Sequence, residues 1–295
     1  MSAPPMITYL AHVALRVPDP EAAADFYQKI LGLGVTGREP TERAIRLSAL
    51  PPNAAVVSHH ELVLYPGEPA SVDHVGFGVA DEQALVAAGE ALRGAGETVV
   101  GPQSFERVHG PSIRLHDPDG LLIELTVPRA PVPRPVNLAG FDLIRLGHIT
   151  RKTPDPTKLA AWWQQTMGFR LSDRMGDDFF WLRCNRDHHA IALVRAASPG
   201  THHLGLEAKS WDEMRRLGDY FQRQGVRIEF GPGRHGPGNN IFIYFRDPWG
   251  IRWETFCEMT RVDDEVTYRP GYWETSQRVM VVNRWGPLPP PSFLE

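Results

Sequence analysis

Two histidines and a glutamate in the second half of the chain are well suited to hold a metal ion. His148, His203 and Glu254 lie at the start, the middle and the end of that half, each in an apolar stretch typical of a strand. Burying such side chains without partners is costly, so the three need a shared reason to be there. Two imidazoles and one carboxylate on one face of a metal leave the opposite positions open, which lets Fe(II) bind a bidentate substrate and dioxygen together. The ligand types suit Fe(II) or Mn(II) and hardly discriminate between them.

The first half of the chain repeats this pattern. His12, His74 and Glu124 occur in the same order and at similar separations. Each half also ends in an Asp-Pro-x-Gly turn that leads into a strand carrying the glutamate, over 117–124 and 247–254. Proline presets its own backbone angle and glycine accepts positive φ, so each glutamate is delivered by a hairpin.

The elements between these residues follow one order, strand, helix and three strands, which occurs four times. Apolar periodicity predicts helices over 21–30, 82–94, 159–167 and 211–224, the last with Ser210 as its N-cap. The chain is therefore predicted to contain four βαβββ units, two in each half.

The domain boundary is predicted between the two copies, where residues 128–135 contain four prolines and form a stiff extended linker. This places an N-terminal domain at 1–130, the linker at 131–138 and a C-terminal domain at 139–262. Residues 263–295 have no counterpart in the first half and are predicted to be a tail laid over one domain.

The segment from Gly233 to Glu254 carries the most specific pattern. It combines Gly-x-His at 233–235, Tyr244, and an Asp-Pro-x-Gly turn before the glutamate. It closely resembles the signature of the type I extradiol ring-cleavage dioxygenases of the vicinal oxygen chelate superfamily, and most of all the metapyrocatechases and homoprotocatechuate dioxygenases. The resemblance implies an α+β fold of two vicinal oxygen chelate domains, each of two βαβββ modules forming a cup-like mixed sheet.

The same resemblance implies an enzyme that cleaves the ring of a catechol next to the diol with O2, in the catabolism of aromatic compounds. The two histidines and the glutamate named first would be the Fe(II) ligands, with Mn(II) as the other metal. His189 would be the acid and base for the catechol proton. Tyr244 would hydrogen-bond a reacting oxygen, and His235 would lie over the far edge of the substrate. Asn239 falls where some relatives place another polar active-site residue, but it is interpreted as a turn residue, with a minor role in the site as the alternative.

The first domain is predicted to hold no metal. Arg114 occupies the position that matches Tyr244, ten residues before the glutamate, and the loop after His109 is shorter than its counterpart. In two-domain relatives this module is usually metal-free. A second site at His12, His74 and Glu124 is the alternative.

Substrate preference is predicted from one departure from the family pattern. Relatives that take a carboxylated catechol tend to place an arginine where this chain has Phe230, which favours a neutral or apolar-substituted catechol. Arg284 in the tail could still supply a cation. Trp181, Phe180 and Trp249 are candidates for an aromatic pocket wall, with the hydrophobic core as the alternative, which is the commoner place for such residues on strands.

Composition limits the other classes of function. The formal charge of −4 comes from 35 acidic and 31 basic residues without a basic run, which disfavours nucleic-acid and membrane partners and favours a small molecule. Cys184 and Cys257 do not form a CxxC motif, so neither a disulfide framework nor a thiolate site is expected. We expect a cytoplasmic protein, and a homo-oligomer from the resemblance.

Two rival functions belong to the same superfamily. Glyoxalase-type isomerases and thiol transferases use similar metal cups without dioxygen, and are expected to lack the set His189, His235 and Tyr244. Antibiotic-sequestering proteins are usually short chains of one module without a full ligand set.

Overall fold

The computed structural model describes residues 6–105 and 110–294. In the first half, the order strand, helix and three strands occurs twice, with one short extra strand, β4. The elements are β1 Tyr9–Val17, α1 Pro20–Leu31, β2 Gly34–Glu39, β3 Ala44–Ser48, β4 Val56–Val57, β5 Leu62–Pro66, β6 Ser71–Gly78, α2 Glu82–Gly94, β7 Val100–Gln103, β8 Ser112–His116 and β9 Leu122–Thr126.

The second half repeats the order twice more after a short linker strand, β10, and then adds a tail. The elements are β10 Val132–Pro133, β11 Leu143–Thr153, α3 Pro156–Gln165, β12 Arg170–Met175, β13 Phe179–Arg183, β14 Ile191–Arg195, β15 Gly200–Ala208, α4 Trp211–Arg223, β16 Ile228–Arg234, β17 Ile241–Arg246, β18 Arg252–Cys257, β19 Gly271–Trp273 and α5 Arg278–Val282, with 3-10 turns at Thr275–Gln277 and Pro291–Leu294.

Two large mixed sheets result. The first has eight strands in the order β2-β3-β5-β1-β6-β9-β8-β7, and the second has nine in the order β16-β17-β18-β15-β11-β14-β13-β12-β19. In each sheet the first strands of the two modules pair antiparallel at the centre. The predicted α+β class and the four βαβββ units are confirmed. The domain boundaries at residues 130, 138 and 262 stay a prediction. Each of them falls between two described elements and cuts none.

Strand alternation separates a core face from a polar face on each sheet. On β1, Val13, Leu15 and Val17 pack into the apolar core with the inner side of α1, while His12 and Ala14 point to the other face. On β11, Ile149 points into the core. We call the polar face around His12, His74 and Glu124 the first cup, and the face around His148, His203 and Glu254 the second cup.

The helices lie close to their predicted positions, with one correction. The third was predicted over 159–167 but is α3, and it begins earlier because Pro156 takes its first position, where the missing N–H is not needed. Asp155 caps it by accepting from the Lys158 N–H. Met167 lies outside, since the helix ends at Gln165 and Gly168 then takes a positive φ of 75°.

The two domains contact each other through the turns that precede the glutamate strands. The Tyr27 hydroxyl donates to Asp247 Oδ2 at 2.5 Å, and Arg151 lies 3.7 Å from Asp117 Oδ2. Both aspartates begin an Asp-Pro-x-Gly turn, so each turn is fixed by a side chain of the other domain. Among the described helices, none is long and apolar enough to cross a membrane.

Candidate metal centre

Three adjacent strands bring the residues of the second cup together. Strand β15 lies between β11 and β18, and its Gly205 is paired with His148 on one side and with Glu254 on the other. His203, two residues before Gly205, therefore points to the same face. A Cβ at Gly205 would lie 2.3 Å from the His148 ring, so only glycine leaves room for that imidazole.

The potential ligand atoms form a nearly equilateral triangle. His148 Nε2 lies 3.2 Å from His203 Nε2, and each of these nitrogens lies 3.0 Å from Glu254 Oε2. Adjacent corners of an octahedron with metal–ligand distances of about 2.1 Å would be about 3.0 Å apart. All three side chains are buried, and the donor set and its spacing fit Fe(II) or Mn(II).

The surroundings of Glu254 and His203 keep these two donors in their metal-binding forms. Burial alone would raise the pKa of Glu254, but the imidazoles of His148 and His203 outweigh it and hold this pKa well below its usual range. Burial lowers the pKa of His203 to about 4. The glutamate is thus a carboxylate and His203 a neutral imidazole near pH 7.

Three further polar side chains surround the carboxylate. Tyr244, paired with Glu254 across β17 and β18, donates its hydroxyl to Glu254 Oε2 at 2.9 Å, and Asn240 Nδ2 donates to Oε1 at 2.9 Å. His235 Nε2 lies 3.0 Å from the Tyr244 hydroxyl, while its Nδ1 lies 2.7 Å from the carbonyl of Val282 in the tail. Burial, followed by the charge of Glu254, raises the pKa of Tyr244 well above its ordinary value.

His189 lies beside the triangle without belonging to it. Its ring centre is 4.6 Å from that of His148, and its Nδ1 is 3.1 Å from Nδ1 of His188. Burial, with smaller contributions from the charges of His148 and His188, lowers the pKa of His189 well below its ordinary value. The ring is therefore neutral at physiological pH, with one unprotonated nitrogen.

A cavity of about 210 Å³ opens over these residues, and most of the surface that it exposes is apolar. Phe179 and Trp181 stack with ring centres 4.0 Å apart on one wall, and the tail supplies Val281 and Phe293 on another. Of the three aromatic residues predicted for this wall, Trp181 lines the cavity, as predicted. The other two take the core alternative: strand alternation turns Phe180 into the core, and Trp249 packs on Phe26 and Tyr27 of the first domain.

Asn239, Phe230 and Arg195 each contact another side chain of this region. Asn239 has a φ of 56°, as expected of a turn residue, and its Oδ1 accepts from Arg284. Phe230 is buried against Tyr244 and Phe293. Arg195 at the rim is paired with Asp178, and Arg278 lies on the wall contributed by the tail.

The first cup has the same arrangement with a different partner for its glutamate. Gly76 pairs with both His12 and Glu124, and His12 Nε2 lies 3.1 Å from His74 Nε2. Arg114 pairs with Glu124 in the register that Tyr244 has with Glu254, and its guanidinium lies 2.6 Å from Glu124 Oε2. The predicted equivalence of Arg114 and Tyr244 is confirmed; the loop prediction at His109 lies outside the described residues.

Several residues of the second cup were missed by the sequence analysis. Asn240, His202 and Phe293 contact the potential ligands or the cavity, and Met175 lines it. The tail residues follow Glu254 by tens of positions, so no local spacing connects them to the site.

Comparisons with known proteins agree with this architecture. The family model of the Glyoxalase/Bleomycin resistance protein/Dioxygenase superfamily matches residues 9–125 and 145–255. The metapyrocatechase of Pseudomonas sp. (strain CF600) is 28% identical over 266 residues, covering 83% of this chain and 84% of that protein. Other relatives are named as iron-dependent or manganese-dependent dioxygenases.

Solved structures give the same result at the level of the whole chain. Homoprotocatechuate 2,3-dioxygenase from Arthrobacter globiformis superposes with a TM-score of 0.88 at 26% identity, over 99% of this chain and 92% of that chain. The Mn(II)-bound glyoxalase from Novosphingobium aromaticivorans superposes with a TM-score of 0.86 at 27% identity, over 98% and 94%. The predicted resemblance and the two-domain fold are confirmed.

Proposed function

Because this chain belongs to the Glyoxalase/Bleomycin resistance protein/Dioxygenase superfamily, we propose that it is an extradiol dioxygenase that cleaves a catechol next to its diol with O2. The observation that carries the proposal is one cavity in which three potential ligands meet the side chains of His189, Tyr244 and His235. The dioxygenase names of relatives that align over most of the chain support it.

We propose His148, His203 and Glu254 as the ligands of Fe(II), with Mn(II) as the other candidate. The bound metal would supply the Lewis acidity that favours the ionised diol, and a path for electron density from the diol to dioxygen. The first domain is proposed to hold no metal.

The residues around the metal have separable roles. His189, neutral because it is buried, would accept the diol proton and return it as the ring opens. Tyr244 would donate a hydrogen bond to a reacting oxygen, since burial keeps its hydroxyl protonated. His235, held by the Val282 carbonyl, would limit the far edge of the ring. The apolar walls would exclude water from these steps.

The cavity wall favours a neutral or apolar-substituted catechol. Phe230, where relatives that take a carboxylated catechol tend to have an arginine, is a hydrocarbon ring buried against Tyr244 and Phe293. Of the two arginines at the cavity, Arg195 is already paired with Asp178, and Arg278 is exposed in the tail. Phe179 and Trp181 offer a flat surface for an alkyl or aryl substituent. We further infer a cytoplasmic enzyme that works as a homo-oligomer; size-exclusion chromatography with light scattering would measure the oligomeric state.

The test is oxygen uptake by the Fe(II)-loaded protein with a panel of catechols. We expect stoichiometric O2 consumption and a yellow ring-opened product with catechol and alkylcatechols. A carboxylated catechol should have a kcat/KM at least ~10-fold lower, since removing its charge from water against mostly apolar walls costs more than about 1.4 kcal/mol. No uptake with any catechol, while the metal is shown to be bound, would contradict the proposal.

The glyoxalase type of activity is the second candidate, because one structural neighbour with high overlap is a Mn(II)-bound glyoxalase. It needs no dioxygen, so isomerisation of a thiol adduct under argon would favour it. His189, Tyr244 and His235 together at the cavity favour the dioxygenase.

A further inference from the structure

His202 connects the proposed ligand His203 to the end of the chain. The two neighbouring histidines on β15 are both buried, and their Nδ1 atoms lie 2.7 Å apart. The other nitrogen of His202, Nε2, lies 2.7 Å from the backbone carbonyl of Phe293. The ring of His202 therefore bridges His203 and the tail.

The positions of the hydrogens in this bridge follow from the chemistry of its two ends. A carbonyl oxygen only accepts, so the proton of a neutral His202 ring lies on Nε2 and its Nδ1 is an acceptor. The Nδ1 of His203 must then be the donor in the 2.7 Å contact. This leaves Nε2 of His203 without a proton, facing His148 and Glu254, which is the form that a metal requires.

Phe293 is held in place from several sides. Its ring lies 4.9 Å from that of Tyr244 and 4.8 Å from that of His202. The guanidinium of Arg252 lies over its outer face, 4.4 Å from the ring centre, and also reaches the Ser292 carbonyl at 3.4 Å. The accepting carbonyl is thus part of a packed segment.

We propose that His202 is a positioning residue: held by the Phe293 carbonyl, it fixes the tautomer of His203 and so sets the metal affinity of the second cup. The last residues of the chain thereby stabilise the metal site through two hydrogen bonds. This inference rests on the proposed role of His203 as a ligand. The first cup uses a different device, since His74 Nδ1 meets the Asp73 carboxylate at 2.8 Å.

Variants of His202 test the bridge through the dissociation constant of Mn(II), measured on the metal-free protein from the free-ion electron paramagnetic resonance signal. His202→Phe keeps the ring volume but removes both hydrogen bonds, and should weaken Mn(II) binding by about 10- to 100-fold. His202→Asn places its amide oxygen near the position of Nδ1, keeps the acceptor for His203, and should stay within about threefold of the original protein. His116→Asn, on an exposed histidine of β8, is the matched control and should have no effect.

Two tail variants separate the carbonyl from the ring. Removal of residues 291–295 deletes the carbonyl and should weaken Mn(II) binding in the same direction as His202→Phe. Phe293→Ala keeps the carbonyl and should weaken it less. The truncation leaves His202 in place, so it tests the bridge even if His202→Phe does not fold.

The outcomes distinguish this inference from the proposed function. If the original protein binds Mn(II) and His203→Ala does not, but His202→Phe or the truncation binds it as tightly as the original, the inference is wrong. Equal losses in His202→Asn and His202→Phe would also overturn it, because the acceptor would then be irrelevant. If His203→Ala binds Mn(II) like the original protein, the proposed ligand set itself fails.

Discussion

The two cups of this chain have the same register and the same ligand types, and they differ in the residue that faces the glutamate. In the second cup Glu254 accepts from the neutral Tyr244, whereas in the first cup Glu124 is paired with the cation Arg114. A divalent ion beside a guanidinium in a buried site would be repelled by several kcal/mol, on the order of the attraction that a carboxylate offers. This repulsion is the reason why the first cup is proposed to hold no metal although it has the full ligand set.

The largest expected effect is the loss of the metal from the second cup alone. His203→Ala should lose Fe(II) on desalting. Its kcat/KM should fall at least ~10³-fold, because the bound metal stabilises the transition state by several kcal/mol. His74→Ala, the matching change in the first cup, should keep metal content and activity within about twofold, because no reacting group lies there. Elemental analysis and oxygen uptake measure both. If only His74→Ala lost metal and activity, the reaction would take place in the first cup and the proposed assignment would be wrong.

The proposed acid and base gives the next contrast. His189→Asn should lower kcat by about 10²- to 10⁴-fold while the metal content stays unchanged, because an amide cannot accept a proton. His60 lies beside His12 of the first cup as His189 lies beside His148, with ring centres 4.8 Å and 4.6 Å apart, and His60→Asn should leave kcat nearly unchanged. Single-turnover kinetics with a fixed catechol would show the difference. Equal rates in both variants would remove His189 from the mechanism.

Arg114 provides the most direct test of the comparison. The original protein should bind one Mn(II) per chain, and Arg114→Tyr should admit a second, weaker equivalent, because the cation next to Glu124 is gone. Equilibrium dialysis with elemental analysis counts the equivalents. Two equivalents in the original protein would show that the first cup tolerates a metal beside the guanidinium.

The smallest expected effect concerns the contacts between the domains. Tyr27→Phe removes a hydrogen bond to the buried Asp247 and should lower the free energy of unfolding by about 1 to 3 kcal/mol. Tyr220→Phe, whose hydroxyl donates to the Lys29 carbonyl at an exposed contact, should cost less than about 1 kcal/mol. Denaturant titration of the metal-free proteins would compare them.

The loss of unfolding free energy in Tyr27→Phe, relative to the original protein, should become smaller at acidic pH. Burial raises the pKa of Asp247, while the Tyr27 hydroxyl stabilises its ionised form. The contribution of Tyr27 is therefore full where Asp247 is charged and shrinks as the pH falls through its raised pKa. If the difference in unfolding free energy between the original protein and Tyr27→Phe grew as the pH fell, this assignment would be contradicted.

Much of the fold and the centre of the site could be predicted because their signals are local. The repeat of His148, His203 and Glu254 in the first half marks equivalent strands, and strand alternation puts such residues on one face. The Asp-Pro-x-Gly turns similarly mark the hairpin before each glutamate.

The remaining features of the site depend on packing between distant parts of the chain, which the spacing of residues in the sequence does not reveal. Nothing near Phe293 indicates that its carbonyl meets His202, since 91 residues separate them. Trp249 resembles a pocket residue by type, but its turn docks on Tyr27 and carries it away from the cavity. Residues that arrive from the tail or from the other domain are fixed only by the assembled core.

The short tail strand β19 pairs with β12 in parallel, at the margin of the nine-stranded sheet. Without it, the outer backbone groups of β12 would be an open edge, which is a template for pairing with another chain. Asp173 on β12 holds this strand by accepting from the Gly271 N–H and the Trp273 indole N–H. Loss of residues 263–295 would therefore be expected to promote aggregation as well as uncover the cavity, and solubility would reveal the first effect independently of catalysis.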